Sequence, residues 1–571
     1  MRTRLLRLWD YVSTAAYWRR VLVPVVVFAI LAISLWWRAW STGGYLFLLD
    51  MPWPNHFQLS DYTSRLTPDG AVAERVTLDW IWAAGFAAIG ALVGQALIQK
   101  LLLSGVVAGA GLAMWLLSNT LYKRWLGGVS ASSTWWPPYA AGFIYCFNPY
   151  VMDRLWAGQW RVVAGYGLVS VLLYLYVRTT DAVRRGIWLA VAAVVYALYP
   201  SLSVHWWVLC SALLAVVVGV HWYMRRPDWR VGARYAAIMA GVFVLINSWW
   251  LWHVLRQGVG HAGTVAADVG LFAMSPNLAG GPIGTALGLG GFWYGAFRML
   301  PGMQYVWLGL TVAVLFLTIV GWRCVAAQAR DRAIAYGVAA VGIAAMVLMV
   351  LAMSGWGVVL LQAAMGFFAP LQVLRDMSKV SGLLALGYAL FAPVGLAVLL
   401  ARSGWRRSAY RAVLIAAGAL YVLAMLPAWT DAKYATPHDY PASWRAADDY
   451  LTEEAEAERV LVLPYVQYLR LPGNDRLLTA NPANQFLRVP AVVGSSVANP
   501  VYDEQREPAD RRVGHFVGGL TRGASTPQDM HDLNIDYLLV LDDINAVPAD
   551  AVLQEAGFEL AYQRDGVRVY R

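Results

Sequence analysis

The chain has 571 residues, 59% of them hydrophobic and 14% charged, with a formal net charge of +10. This excludes an ordinary soluble enzyme over most of the length, because apolar stretches near the ~20 residues that cross a bilayer recur until about Trp429 and then stop. Residues 1–430 carry 31 Lys+Arg against 12 Asp+Glu, while 431–571 carry 13 against 22; the basic excess therefore belongs to loops beside a membrane and argues against a nucleic-acid site.

In chain order, the basic, amphipathic MRTRLLRLWDYVSTAAYWRR precedes Val21 to Trp37. That apolar stretch is longer than a signal-peptide core and has no small-residue cleavage site, which predicts a retained first span. Lys and Arg in short loops stay cytoplasmic, so the clusters Arg2–Arg20, Lys123/Arg124, Arg178–Arg185, Arg225–Arg234, Arg323–Arg332 and Arg402–Arg411 must be separated by even numbers of crossings. Spans near 136–152, 161–177, 187–202, 204–222, 235–252, 304–321, 333–352 and 380–401 satisfy this, and 412–429 exports the C-terminus. Three apolar stretches, 21–37, 80–98 and 101–121, lie between Arg20 and Lys123, one too many. Trp80–Ile98 is therefore expected to lie at the outer interface or re-enter, with LIQK as its polar exit. The result is a polytopic α-helical membrane protein of about eleven spans, cell-membrane located, with its N-terminus cytoplasmic.

Residues 431–571 are expected to form a small extracytoplasmic α/β domain, near the minimum size for its own core. WRAADDYLTEEAEAE has helical spacing, RVLVLP and DYLLVL are apolar β runs, and AVLQEAGFELAYQRDGVRVYR suggests a helix and two strands around an Asp-Gly turn. Cys146, Cys210 and Cys324 fall in or beside apolar spans, so neither disulfides nor a cysteine metal site is expected.

Ionisable groups near span ends cost about 2.5–3.5 kcal/mol each when placed at a helix centre, so they ask for a reason. In LLDMPWPNH, Leu48–His56, apolar residues run up to Asp50, and two prolines then hold the chain extended and stiff. An interfacial acid explains this stretch, as does a base placed beside a lipid-borne substrate. FNPYVMDRLWAGQW gathers Asp153, Arg154, Gln159 and Trp160 in one outer loop; mutual neutralisation with interfacial tryptophans and a sugar-binding surface are equally open readings. LRDMSKVSGLLALGYAL sets Arg375 and Lys379 four apart beside Asp376. Two cations on one helical face suit a phosphate head group, although snorkelling to the interface would also place them there. His253, His261 and Asp268 have no helical metal-ligand spacing, and GGPIGTALGLGG lacks the lysine of a phosphate-binding loop.

Three stretches resemble the GT-C superfamily of glycosyltransferases, nearest the large arabinofuranosyltransferases of mycobacterial cell-wall synthesis, of the "D" type, and related membrane transferases. They are LFLLDMPWP, IYCFNPYVMDRLWAGQWRVVAGYGL and LRDMSKVSGLLALGYAL, and with the span order they cover roughly residues 20–430. The resemblance implies an acidic catalytic base in the first outer loop, which is Asp50 here, interfacial helices after that loop, and a polyprenyl-phosphate sugar donor. This chain has one carboxylate where an acidic pair is frequent, so a divalent cation stays open as a cofactor and no metal ligand is assigned. The C-terminal domain is far smaller than the mycobacterial carbohydrate-binding tail, so the arabinan substrate is not carried over, and arabinofuranosyl transfer in cell-envelope glycan synthesis is only one form the activity could take.

The expected function is inverting transfer of a sugar to an extracytoplasmic glycan or lipid acceptor. Asp50 would be general base and Arg375 and Lys379 would hold the donor phosphate. Asp153, Arg154, Gln159 and Trp160, with His56 and Asp376, would shape the substrate site. A transporter or lipid flippase would instead show paired broken helices and charges inside the spans, and a membrane scaffold would be indifferent to Asp50.

Overall fold

The computed structural model describes residues 15–54, 64–66, 72–74, 80–127, 135–181, 185–225, 229–257, 268–402, 407–471, 478–494, 508–541 and 548–571. His56 and His261 lie outside them, as does most of the expected first outer loop between Pro54 and Trp80. Eight helical runs among these residues are long and apolar enough to cross a membrane: Gln95–Trp125, Trp160–Thr180, Arg185–Leu202, Val204–Arg225, Trp229–Trp252, Met303–Ala326, Arg332–Ala352 and Met377–Arg402, the last opening with a 3₁₀ turn before its α-helix. Helices Ala15–Leu35 and Arg407–Ala424 occupy the first and last expected spans.

Three stretches differ from a simple count of spans. Trp80–Val93 is a helix of 14 residues, about 21 Å long and short of the roughly 30 Å apolar slab. It stops at Gly94, and Leu97–Lys100 belong to the opening turns of the next helix, so LIQK is not the exit of this one. An apolar helix of 13 residues, Gly355–Phe367, fills the loop before LRDMSK, where none was expected. The stretch 136–152 is not one helix: Pro137–Cys146 and Pro149–Trp156 are separate, broken at Phe147–Asn148. Pro149 has no N–H to continue the ladder, and Asn148 serves both ends. Its Oδ1 accepts from Val151 N at 3.1 Å while Nδ2 donates to the carbonyls of Ile144 and Tyr145 at 3.0 and 2.9 Å.

Helices Met303–Ala326 and Ser381–Arg402 meet at Gly321 and Gly395, where a Cβ on either would overlap the carbonyl of Phe391 or Leu317. Small residues at such a crossing let two backbones touch where no hydrophobic force drives helices together. At one end of the bundle Asp331 accepts from Trp125 Nε1 at 2.9 Å and pairs with Arg124 at 3.5 Å, and Arg225 donates to Arg330 O at 3.2 Å. Three of the basic clusters thus share that end.

At the other end, Gln99 acts as a strand partner for the loop after the first helix, accepting from Leu46 N at 2.8 Å and donating to Leu46 O at 2.7 Å. Lys100 Nζ donates to Thr42 O at 2.6 Å. The polar end of this helix therefore satisfies irregular backbone near the membrane boundary, where unpaired groups are costly.

Beyond the bundle a five-stranded mixed sheet is built on Val460–Leu463, parallel to both Ala491–Val492 and Tyr537–Leu541. Val567–Tyr570 runs antiparallel to Tyr537–Leu541 and pairs with the edge strand Leu560–Arg564. The parallel strands VLVL and YLLVL are apolar throughout because both faces are covered. Asp565 and Gly566, at φ +36° and +78°, make the two-residue hairpin turn that needs left-handed backbone at both positions. A separate hairpin, Tyr468–Arg470 with Leu478–Ala480, reaches back to the bundle.

Candidate active site

Asp50 lies in a tight turn in which Met51 N donates to Leu48 O at 3.1 Å. Its own N–H donates to Ala157 O at 2.8 Å, docking the turn onto the loop between Pro149–Trp156 and Trp160–Asp181. The approach requires glycine at 158: φ is +74°, and a Cβ there would sit 2.6 Å from Met51 Cβ and 2.9 Å from Leu48 Cβ. The stiff Pro52-Trp53-Pro54 segment is pinned by Trp53 Nε1 donating to Gln95 O at 3.0 Å and by Tyr440 OH donating to Trp53 O at 2.7 Å.

Both oxygens of the Asp50 carboxylate are held by neutral donors. Gln159 Nε2 reaches Oδ2 at 2.7 Å and Tyr468 OH reaches Oδ1 at 3.0 Å. Burial raises the Asp50 pKa above the usual carboxylate value, against the opposing pull of those two hydrogen bonds and the charges of Arg154 and Lys379.

Behind Gln159 the chain of contacts continues. Its Oε1 accepts from Arg154 Nη1 at 2.6 Å, and Arg154 grips Asp376 with Nη1 at 2.7 Å and Nη2 at 3.3 Å while also donating to the Ser378 hydroxyl. The guanidinium is 0% exposed and lies 4.1 Å over the Phe292 ring. Ser378 Oγ donates to Asp376 at 2.5 Å, and Lys379 Nζ is 3.8 Å from the same carboxylate. Burial alone would raise the Asp376 pKa, but Arg154 and Lys379 hold it well below the usual range.

A cavity of about 620 Å³ opens on this chain, lined by Asp50, Gln159, Trp160 and Lys379 from among the residues singled out in the sequence. Arg154 and Asp376 stand behind the lining and reach it through Gln159 and Lys379. Asp153 points elsewhere: Oδ1 accepts from Phe297 N at 2.7 Å, and burial, only partly offset by that bond and by Arg154, pushes its pKa up to about 7. It ties the loop before Met303 to the short helix and does not line the cavity. Arg375 is also absent from the described lining and sits 5.0 Å from the Phe272 ring. Its expected helical alignment with Lys379 does not form, because 3₁₀ turns Ala369–Leu374 and Met377–Val380 precede a helix that starts at Ser381.

Several lining residues had no sequence signal of their own. Trp82 and Phe86 come from the short interfacial-length helix, His205 from just past the break between Arg185–Leu202 and Val204–Arg225, and Gln467, Tyr468 and Gln485 from the C-terminal region. Asp50 and His205 are the His, Cys, Asp or Glu side chains that line the cavity among the described residues, and among those residues no group of three gathers. Among the described residues these two side chains do not by themselves make up the ligand set of a divalent cation.

The fold is GT-C-like, as its likeness to solved structures shows. Among solved structures, the arabinofuranosyltransferase AftD from Mycobacteria matches with a TM-score of 0.65 at 16% identity, over 98% of this chain and 40% of that one. This chain therefore spans about 40% of the length of the mycobacterial protein. Looser matches are ArnT from Cupriavidus metallidurans bound to undecaprenyl phosphate, with TM-score 0.47, 14% identity and 98% of each chain, and the oligosaccharyltransferase AglB from Archaeoglobus fulgidus, with TM-score 0.47, 12% identity, 92% of this chain and 70% of that one. No protein-family profile and no curated protein sequence matches the chain.

Proposed function

We propose that this protein is a glycosyltransferase that moves a sugar from a polyprenyl-phosphate donor to an acceptor hydroxyl at the outer face of the membrane. The observation that carries the reading is Asp50, a carboxylate with raised proton affinity, facing one cavity together with the Lys379 ammonium. The acceptor O–H proton passes to Asp50 as the acceptor oxygen bonds to the anomeric carbon. The bond from that carbon to the phosphate oxygen breaks on the opposite side, and polyprenyl phosphate leaves with the electron pair. Lys379 stabilises the charge that grows on the leaving phosphate. Because each carboxylate oxygen has two lone pairs, Asp50 can take the proton while Gln159 and Tyr468 keep it aimed.

In this reading the ends tied by Asp331 face the cytoplasm, and residues 431–571 form a second domain outside that closes the cavity. The donor is a polyprenyl-phosphate sugar and the acceptor a glycan or lipid. The test is to reconstitute the protein in lipid nanodiscs with a panel of radiolabelled polyprenyl-phosphate sugars and to follow donor hydrolysis or transfer. A general base contributes about 10²–10⁴-fold, so Asp50→Asn should lose that much turnover while inserting normally. An Asp50→Asn protein with full activity overturns the assignment.

A further inference from the structure

The hairpin Tyr468–Arg470/Leu478–Ala480 is fastened to the Asp50 turn at consecutive points. Ala480 N donates to Leu49 O at 2.7 Å and Thr479 Oγ1 donates to Leu48 O at 3.0 Å. Tyr468 and Leu478 pack on a small buried cluster of Leu49, Ala157 and Phe292. These contacts fix the backbone immediately before Asp50 and bring the Tyr468 hydroxyl onto Oδ1 at 3.0 Å. Two residues 418 positions apart thus share one hydrogen bond inside the cavity.

We propose that Tyr468, delivered by the C-terminal region, is a positioning residue that orients Asp50 and sets the pH at which it becomes a competent base. The proposal deepens the glycosyltransferase reading and rests on it for its functional consequence. A hydroxyl that donates to a carboxylate favours its ionised form, so Tyr468 opposes the effect of burial. Gln159 does the same on the other oxygen, but it is also tied to Arg154 and through it to Asp376. Tyr468 is the contact that depends on the C-terminal region being docked. The charged and titratable groups around Asp50 are Arg154 from the short helix, Lys379 from the 3₁₀ turn and Tyr294 from the loop before Met303, with Arg161 and His205 lining the same cavity. Replacing Tyr468 by Phe changes none of them and keeps the ring that packs on Leu49.

The experiment compares full-length wild type, Tyr468→Phe and Asp50→Asn in nanodiscs by infrared difference titration. The band protonated in the wild type and missing in Asp50→Asn reports Asp50 directly. Its midpoint is expected to rise by about one to two pH units in Tyr468→Phe, the size expected for loss of one hydrogen bond to a charged group. The acidic limb of kcat/KM should move up by the same amount, with activity recovering at higher pH. A midpoint unchanged in Tyr468→Phe overturns the proposal, including when activity falls equally at every pH, since that pattern marks a purely structural hairpin. Failure of the broader reading looks different: the Asp50 midpoint would shift as expected while the wild type transferred no sugar from any donor, or while Asp50→Asn kept full activity and so removed Asp50 from the base role.

Discussion

Asp50 and Asp376 stand at two ends of one hydrogen-bonded chain that runs through Gln159 and Arg154, yet their surroundings give them opposite chemistry. Asp376 is clasped by a guanidinium, an ammonium and a hydroxyl, which hold its proton affinity low. Among the described residues Asp50 receives an amide and a phenol at hydrogen-bonding distance, and burial raises its proton affinity. A carboxylate clasped by cations is a fixed anchor, whereas one held at hydrogen-bonding distance by neutral donors takes up a proton more readily.

The sharpest way to break the comparison is to remove the anchor. Asp376→Asn leaves Arg154 as a buried, uncompensated charge and should cost about 3–5 kcal/mol, seen as a large fall in thermal stability in detergent. Asp50→Asn, by contrast, should unfold no more readily than wild type. Next in size is the cavity cation. Lys379→Met should weaken use of a polyprenyl-phosphate donor by roughly 10–100-fold, the loss of one hydrogen bond to a charged group at about 1.5–3 kcal/mol. Arg375→Gln should change donor KM little, because Arg375 stacks near Phe272 and does not line the described cavity. Equal effects at both positions would show that the phosphate is gripped elsewhere.

Gly158→Ala tests the dock between the two regions. The left-handed backbone and the overlap with Met51 and Leu48 predict a cost of about 1–3 kcal/mol and displacement of Asp50, so turnover should fall more than stability. The mildest probe is pH. Asp50 loses its base form as pH falls through its raised pKa, while Asp376, with a lowered one, stays ionised through the same window. Its contribution to stability is present above the ordinary value of about 3.9 and is lost only as pH falls further through the folded value. Moderate acidification should therefore silence transfer reversibly, with the circular dichroism unchanged. Unfolding in step with activity would contradict the separation of roles.

Much of this was legible from residues alone, and for local reasons. Apolar runs of bilayer length name most of the helices, since a spanning segment must be apolar along its whole length. The strands VLVL and YLLVL and the Asp-Gly turn likewise declare themselves over a few residues. Asp50, Gln159, Trp160 and Lys379 stand out because polar groups at span ends are costly. Where a single residue redirects the chain, the same reasoning slips. Pro149, with Asn148 capping the ends it leaves open, divides an apparent span and turns Asp153 onto Phe297, away from the cavity.

Hydropathy and charge are properties of short windows, so the sequence by itself determined a helical membrane bundle, an α/β tail and the stretches where chemistry could gather. Which of those side chains meet was decided by the tertiary structure alone. Arg154 reaches Asp376 across 222 residues and Tyr468 reaches Asp50 across 418, and no local pattern encodes a contact whose partner is fixed only when the whole bundle and the C-terminal hairpin have packed.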